Sequence, residues 1–197
     1  MAVAVEHEKR RKQILEKALT VFISDGFEDA TFQKIADSCG ITRTILYLYF
    51  KNKKEIFNYS IKQLLINVEE RIDTIRHDKS LNSTDKITNV LLAVFSLLEQ
   101  NRQLLSIIFD YLQHFSKSNI SPDEYVRRRT VRLRHILSSM VIEGVKAGEI
   151  KDINIKTVDD YIYSFIESAI YQLVILKRKN THELKDTVVF AIKQLAV

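Results

Sequence analysis

Hydrophobic residues recur every three or four positions along most of the chain, which is the spacing of one face of an α-helix. The first such stretch runs from about residue 8 to residue 24, has Ile14, Ala18 and Phe22 on one face, and ends before Gly26. One Pro and four Gly in 197 residues are too few for the turns of an all-β protein. The pattern therefore predicts an all-α protein of about nine helices.

Two short helices joined by a tight turn are predicted between Thr31 and Phe50. Thr31 and Thr42 can each cap a helix through the side-chain oxygen, and Gly40 suits the left-handed conformation that ends a helix. At about 100° per residue, Leu46 and Phe50 fall on one side of the second helix, where they can enter a core. This arrangement is typical of a helix-turn-helix.

The other side of the second helix has an unusual mixture of side chains. Arg43, Thr44, Tyr47 and Leu48 combine a guanidinium, a hydroxyl, a phenol and an exposed leucine. Such a face suits a DNA major groove, where Arg meets guanine edges or phosphates and Leu meets thymine methyl groups. We therefore predict that this helix binds double-stranded DNA.

A cluster of lysines follows at the start of the next predicted helix. Lys51, Lys53 and Lys54 surround Asn52, a predicted cap that Glu55 completes as a capping box. Cations at a helix N-terminus are mildly unfavourable, so the cluster does not serve the helix itself. Together with the exposed helix amides, these ammonium groups would form a phosphate clamp.

Several motifs in this region resemble the N-terminal signature of the tetracycline-repressor (TetR) family of bacterial regulators. They are Gly26-Phe27, Thr31, Ile35-Ala36, Gly40-Ile41-Thr42, Leu46-Tyr47, Tyr49-Phe50 and Lys53 with Glu55. The resemblance implies a set of DNA-binding residues, namely Thr31, Arg43, Thr44, Ile45, Tyr47, Leu48, Tyr49 and Lys53. Cys39 and the pair Thr44-Ile45 depart from the family pattern, and the second departure leaves the operator sequence open.

A long helix is predicted from about residue 53 to residue 77. It suggests a division into a helix-turn-helix DNA-binding domain at residues 1–52 and a ligand-binding and dimerisation helical domain at residues 53–197. No Gly/Ser/Pro linker separates the two parts, so movement of the C-terminal bundle could pass rigidly to the DNA-binding unit.

Five further helices are predicted in the C-terminal bundle, at about residues 85–100, 104–115, 122–146, 158–179 and 182–196. Ser121 is the predicted cap of the third, which starts at Pro122, and Thr157 with Asp160 resembles a capping box. The third also carries five arginines. We interpret them as a solvent-exposed helix face, on which Glu124 can pair with Arg128, and the alternative is a wall that binds an anion. They are Arg127, Arg128, Arg129, Arg132 and Arg134.

The helix at 158–179 is apolar on more than one stripe, so it needs partners on several sides. A two-fold interface between two copies of the chain would supply them, and the family resemblance implies the same homodimer. The predicted interface residues are Ile162, Ile166, Ile170, Leu173, Val188 and Ile192. Two DNA-binding helices in a dimer would suit a palindromic operator.

The bundle is also a candidate site for an unidentified small-molecule effector. Its aromatic residues would give apolar walls with a few hydroxyls, although aromatics at helical spacing also simply fill cores. The predicted pocket residues are Phe95, Phe109, Leu112, Phe115, Tyr125, Tyr161 and Phe165.

Other function classes find little support. The net charge of +5 suits a polyanion, and the single cysteine, Cys39, excludes an intrachain disulfide. The five histidines show no metal-ligand spacing, no catalytic motif is present, and we expect no cofactor and no enzyme activity. Without a signal peptide or a membrane span, a cytoplasmic protein is expected. The alternatives are a helical interaction module that does not bind DNA and an all-α enzyme.

Overall fold

The computed structural model describes residues 2–117 and 124–197, without the side chains of residues 2–4, 63–67, 113–117 and 124–129. Within these ranges the chain is all-α, as predicted, and one isolated antiparallel bridge joins Ile150 to Ala196. Nine α-helices and one π-helical turn are described. They are α1 (Ala2–Asp29), α2 (Phe32–Ser38), α3 (Arg43–Tyr49), α4 (Lys53–His77), α5 (Ser83–Gln100), α6 (Arg102–Lys117), α7 (Glu124–Lys146), α8 (Ile155–Ile170), the π-turn (Tyr171–Ile175) and α9 (His182–Lys193).

The prediction for α4 is confirmed at both ends, whereas α1 and α8 differ from the expected bounds. Gly26 breaks α1 where the sequence predicts, with φ 79° and ψ 171°, but α1 begins earlier and one more turn follows the break. Asn154, not Thr157, caps α8, because its side chain accepts a hydrogen bond from the Thr157 amide at 3.1 Å. The predicted cap Ser121 and the Glu124–Arg128 pair lie outside the described residues and side chains.

The predicted helix 158–179 is not α-helical beyond residue 170. Regular α8 ends at Ile170, the backbone widens into the π-turn, and Lys177 then adopts a positive φ of 55°. No Gly or Pro marks this change in the sequence, which explains why periodicity alone predicted one continuous helix.

Two hydrophobic cores organise the fold. The N-terminal core contains Phe22, Leu46 and Phe50 together with Phe57 of α4, and it also takes up Leu104, Ile107 and Tyr111 of α6. The C-terminal core joins Ile72 of α4 to residues of α5, α7, α8 and α9. The helix α4 therefore contributes to both cores, and the domain boundary at residue 52 stays a prediction.

Ion pairs hold the C-terminal helices to one another. On α4, Glu69 pairs with Arg132 of α7 at 3.2 Å, and Arg76 pairs with Glu143 of α7 at 2.7 Å. Arg134 of α7 donates to Asp159 of α8 at 2.8 and 3.0 Å and also pairs with Asp160.

A half-buried carboxylate joins α5 to the start of α9. Glu99 accepts hydrogen bonds from the Thr181 amide at 2.6 Å, from the Thr181 hydroxyl at 2.8 Å and from Lys185 Nζ at 2.6 Å. Burial opposes ionisation of this carboxyl, but the bonds from Lys185 and Thr181 outweigh it and lower the pKa of Glu99. Glu99 is thus held ionised at the N-terminus of α9.

Candidate nucleic-acid interface and interior cavity

The turn between α2 and α3 is built from local hydrogen bonds. Thr31 Oγ1 accepts from the Lys34 amide at 3.2 Å, and Thr42 Oγ1 accepts from the Ile45 amide at 3.2 Å, so both predicted caps are present. Gly40 has a φ of 64°, and its amide donates to Asp37 O at 3.0 Å. The next amide donates to Ala36 O at 3.1 Å, which completes a Schellman motif and fixes the angle between the helices.

The two faces of α3 differ as the sequence predicts. Leu46 is fully buried, and so is Phe50 just beyond the helix. Arg43, Thr44, Ile45, Tyr47 and Leu48 are exposed, and 75% of the Leu48 surface meets solvent. This large exposed leucine has no role in the protomer's own core, so the face is available for a partner.

Neighbouring groups orient the side chains on the exposed face. The Tyr47 ring stacks on Phe32, with 4.6 Å between centroids and 30° between planes. Arg43 Nη2 donates to Tyr47 Oη at 3.0 Å, and its guanidinium lies 5.5 Å from the centre of that ring. The guanidinium and the phenol are therefore held side by side before any ligand arrives, which reduces the entropic cost of binding.

The start of α1 packs against aromatic residues at the end of α3 and on α4. The His7 ring stacks on the half-buried Tyr49 ring, with 4.6 Å between centroids. Arg11 lies 4.2 Å from the Tyr59 ring centre, and its Nε is buried without a hydrogen-bond partner. The basic start of α1 thus packs beside the end of α3.

The lysine cluster has a more specific structure than its composition suggests. Asn52 Oδ1 accepts from the Glu55 amide at 2.8 Å, and Glu55 Oε2 accepts in return from the Lys51 amide at 2.6 Å. Lys53 Nζ donates to Glu28 O at 2.9 Å and lies 4.5 Å from the Phe27 ring centre. Because an ammonium group has three donors, Lys53 can still meet a phosphate, but it is anchored to α1.

Cys39 in the turn is half-buried, and burial raises the pKa of its thiol more than the Ser38 hydroxyl lowers it. The thiolate is the reactive form, so this thiol is less reactive than a free cysteine. No group of three His, Cys, Asp or Glu side chains suitable for a metal occurs in the described part of the chain.

A cavity of about 220 Å³, partly open to solvent, lies among α4, α5, α6, α7 and α8. Its walls are largely apolar and include Ile61, Val68 and Ile72 of α4, with Leu105 and Ile108 of α6. Polar groups enter it from three helices, namely Glu69 of α4, Thr130 and Arg132 of α7, and Tyr163 of α8. Such an apolar space with few polar groups is typical of a small-molecule site.

The predicted pocket residues whose side chains the structure describes are not among those that line this cavity. Phe95 and Phe165 are buried in the C-terminal core, and Leu112 packs against the N-terminal core. Tyr161 is exposed and borders a separate surface depression, while Phe109 is half-buried away from the cavity. The side chains of Phe115 and Tyr125 lie outside those the structure describes. The lining residues are mostly aliphatic, so a search for aromatics missed them.

Most of the predicted dimer residues are buried within the protomer, and the interface itself stays a prediction. Ile162, Ile166, Leu173, Val188 and Ile192 are buried inside the protomer, and Ile170 is half-buried and lines the cavity. Other apolar side chains of the same region are exposed, among them Tyr171, Ile175, Leu176 and Phe190. The sequence shows that α8 has two apolar stripes, but periodicity does not tell which one faces the protomer's own core.

No helix within the described ranges combines the length and apolarity needed to cross a membrane.

Residues 14–59 match the sequence profile of the family described as bacterial regulatory proteins, tetR family. This segment includes α2 and α3 entirely, together with most of the N-terminal core and the first turns of α4. The match therefore falls on the helix-turn-helix described above.

Two curated relatives extend the similarity over most of the chain. The chain is 26% identical over 175 residues to the fatty acid metabolism regulator protein of Bacillus subtilis, covering 87% of this chain and 88% of that protein. It is 27% identical over 158 residues to the HTH-type transcriptional repressor KstR2 of Mycolicibacterium smegmatis, covering 80% of this chain and 74% of that protein.

Solved structures share the fold. The transcriptional regulator FadR from Bacillus subtilis, in complex with stearoyl-CoA, superposes with a TM-score of 0.73 at 22% identity, covering 92% of this chain and 96% of that one. A TetR transcription regulator from Haloarcula marismortui superposes with a TM-score of 0.79 at 16% identity, covering 96% of this chain and 97% of that one. The solved structures show the shared fold. The profile match and the curated relatives show that the chain carries the helix-turn-helix of the tetR family of bacterial regulatory proteins and is a DNA-binding transcriptional regulator.

Proposed function

We propose that this regulator is a dimeric repressor in the cytoplasm, and that a ligand with a long apolar chain releases it from a palindromic operator. The observation that carries the proposal is the shared use of α4. This helix starts in the lysine cluster beside α3, and farther along it supplies Ile61, Val68 and Ile72 to the cavity wall. A ligand in the cavity would therefore touch the same rigid helix that supports the DNA-binding unit.

The size of the cavity gives the coupling a physical basis. Small-molecule pockets usually enclose roughly 300–1,000 Å³, whereas this one has about 220 Å³. A long chain can enter only if the surrounding helices separate, so the present state binds such a ligand less well than an expanded state. That difference in affinity is what a ligand needs in order to shift the population.

The nature of the ligand is suggested by the apolar lining and by the relatives. A saturated chain needs a wall of aliphatic side chains, and most of the lining residues are of this kind. The Bacillus subtilis relative is named a fatty acid metabolism regulator, and a solved neighbour holds stearoyl-CoA. We therefore take a fatty acyl group as the ligand class.

The proposed dimer uses the exposed apolar residues of the C-terminal region. Tyr171, Ile175 and Leu176 follow α8, and Phe190 on α9 exposes 68% of its surface. A second copy related by a two-fold axis would cover them. It would also place two copies of α3 for operator half-sites about 34–36 Å apart, or a multiple of that distance.

The test is to incubate the purified protein with fragmented genomic DNA, sequence what it retains, and then add dodecanoyl-CoA to the retained complexes. We expect a specific complex at about 0.15 M salt that the thioester dissociates, whereas free coenzyme A does not. Retention of no specific fragment would favour the alternative of an interaction module. A specific complex that ignores the thioester would contradict the proposed ligand class.

A further inference from the structure

The polar side chains that the structure describes in the cavity wall are concentrated at one end. Glu69 of α4 and Arg132 of α7 pair at 3.2 Å, and the Tyr163 hydroxyl bonds to the Thr130 side chain. Ile61 lies eight residues before Glu69 on the same helix, about 12 Å away at 1.5 Å per residue, and its surroundings in the cavity are apolar. The cavity is thus elongated, with an apolar end near the DNA-binding unit and a polar end beside Arg132.

We propose that an anionic head group on the ligand binds Arg132 in place of Glu69, and that this exchange selects the ligand and loosens the contact between α4 and α7. This inference rests on the proposed function, since it concerns the same cavity and its apolar-chain ligand. It adds the charge of the head group, the residue that binds it, and the contact that the head group breaks.

Arg132 is better placed than its partner to meet a ligand. Its side chain is 58% exposed, compared with 27% for Glu69, so it can turn toward an entering group without being drawn out of a core. A guanidinium also offers two parallel N–H donors that match a carboxylate or a phosphate. The hydroxyls of Thr130 and Tyr163 can donate to the same anion.

The other described arginine near this end of the cavity is already neutralised. Arg134 lies over the Tyr163 ring at 4.7 Å, but it pairs with both Asp159 and Asp160. Asp159 is buried, and Ser138 also donates to it at 2.7 Å, so this cluster is fixed. Arg132, which pairs with Glu69 at the cavity wall, is therefore the described cation whose partner can be exchanged.

The exchange would act directly on α4. Among the described side chains, two ion pairs join α4 to α7, and of these the Glu69–Arg132 pair borders the cavity. An anion that takes Arg132 also repels the Glu69 carboxylate, because like charges that close together are unfavourable. The Arg76–Glu143 pair, two turns farther along α4, joins the same helices without meeting the ligand and provides a matched control.

The test compares probes with the same twelve-carbon chain and different head groups, by calorimetric titration of the full-length protein. The probes are dodecanoate, dodecanoyl-CoA, dodecanol and dodecylammonium. We expect at least one anionic probe to bind about tenfold more tightly than dodecanol, the size of effect that a charged hydrogen bond produces. Preference for dodecanoate would identify a free carboxylate as the head group, and preference for the thioester would identify its phosphates.

Three variants separate the head-group contact from general packing. Arg132→Gln should abolish the preference for the anion and leave dodecanol affinity unchanged. Glu69→Gln should raise the affinity for the anion several-fold by removing its competitor. Arg76→Gln, the control, should leave both affinities as in the wild type.

Equal affinity for dodecanoate, dodecanoyl-CoA and dodecanol would overturn the inference, and so would tightest binding of dodecylammonium. The inference would also fail if Arg132→Gln lowered the affinity for every probe by the same factor. If dodecanol binds and releases DNA as well as the anions do, the proposed function stands and only the head-group contact is wrong. If no probe binds, the proposed ligand class and this inference fall together.

Discussion

The ring of Tyr111 on α6 lies edge-on against the ring of Phe27, with 4.5 Å between their centroids. The same helix supplies Leu105 and Ile108 to the cavity wall. One face of α6 is therefore part of the N-terminal core, while residues one turn away meet the ligand space. Together with α4, this helix gives a second direct physical path between the cavity and the DNA-binding unit.

Replacing Tyr111 should weaken that path. Tyr111→Leu removes the aromatic contacts to Phe27 and Phe57 and should lower the free energy of unfolding by about 1 kcal/mol. It should also reduce the change in DNA affinity that dodecanoyl-CoA causes, measured by fluorescence anisotropy. Tyr111→Phe keeps the ring and serves as the control. A full ligand response in Tyr111→Leu would exclude α6 as a route of coupling.

The two faces of α3 should respond differently to truncation. Leu46→Ala creates a cavity in the N-terminal core and should cost about 2–5 kcal/mol of unfolding free energy. Leu48→Ala removes an exposed side chain and should change that free energy by no more than about 0.5 kcal/mol. Urea denaturation measures both values. Similar losses for the two variants would mean that Leu48 is buried in the folded protein.

Substitutions at Lys51 and Lys53 should distinguish an effect on DNA binding from an effect on the stability of the fold. Lys51→Gln should reduce the slope of log affinity against log salt by about 1, with the unfolding free energy unchanged. Lys53→Gln should reduce the slope and also cost about 1 kcal/mol of stability, because Lys53 Nζ donates to Glu28 O at 2.9 Å. An unchanged slope in both variants would eliminate the phosphate clamp.

A charge on the exposed apolar surface of α9 should dissociate the proposed dimer. Phe190→Glu is expected to yield monomers in sedimentation velocity, because the dimer would bury an unpaired carboxylate. Val131→Glu adds the same charge at another exposed apolar position, on α7, and should leave the dimer intact. A dimeric Phe190→Glu variant would show that the interface lies elsewhere.

The Glu99 carboxylate should make part of the stability depend on pH. Its pKa is lowered in the folded state, so its contribution is present above the usual value of 4.5 and is lost as the pH falls through the folded value. Glu99→Gln should cost about 1–3 kcal/mol at neutral pH, where hydrogen bonds to the charge are lost. The difference from wild type should shrink in acid. Urea denaturation across this range measures it, and a constant difference would contradict the role of the charge.

The sequence predicted α2 and α3 well because their limits are set locally. Thr31, Gly40 and Thr42 act on amides and carbonyls within four residues, so their effect can be deduced without knowing the tertiary structure. The division of α3 into a buried and an exposed face follows from the same local pattern, because helical spacing places Leu46 on a different side of the helix from Arg43, Tyr47 and Leu48.

The cavity and the C-terminal surface could not be derived in this way. Phe95 and Ile162 are apolar at helical spacing, as expected of cavity or interface residues, yet the packing of distant helices buries both in the core. Glu69 was equally hard to single out, because its position at the cavity depends on α7, more than sixty residues later in the chain. Periodicity identifies apolar faces, but tertiary packing decides what each face contacts.

DNA binding through the exposed side of α3 is tested most directly by the affinity of the purified protein for one retained genomic fragment at about 0.15 M salt. Arg43→Ala and Leu48→Ala should each weaken specific binding by about 1–3 kcal/mol, and Leu48→Ala should leave binding to unrelated DNA unchanged. If both variants bind the fragment as tightly as the wild type does, α3 does not contact the bases.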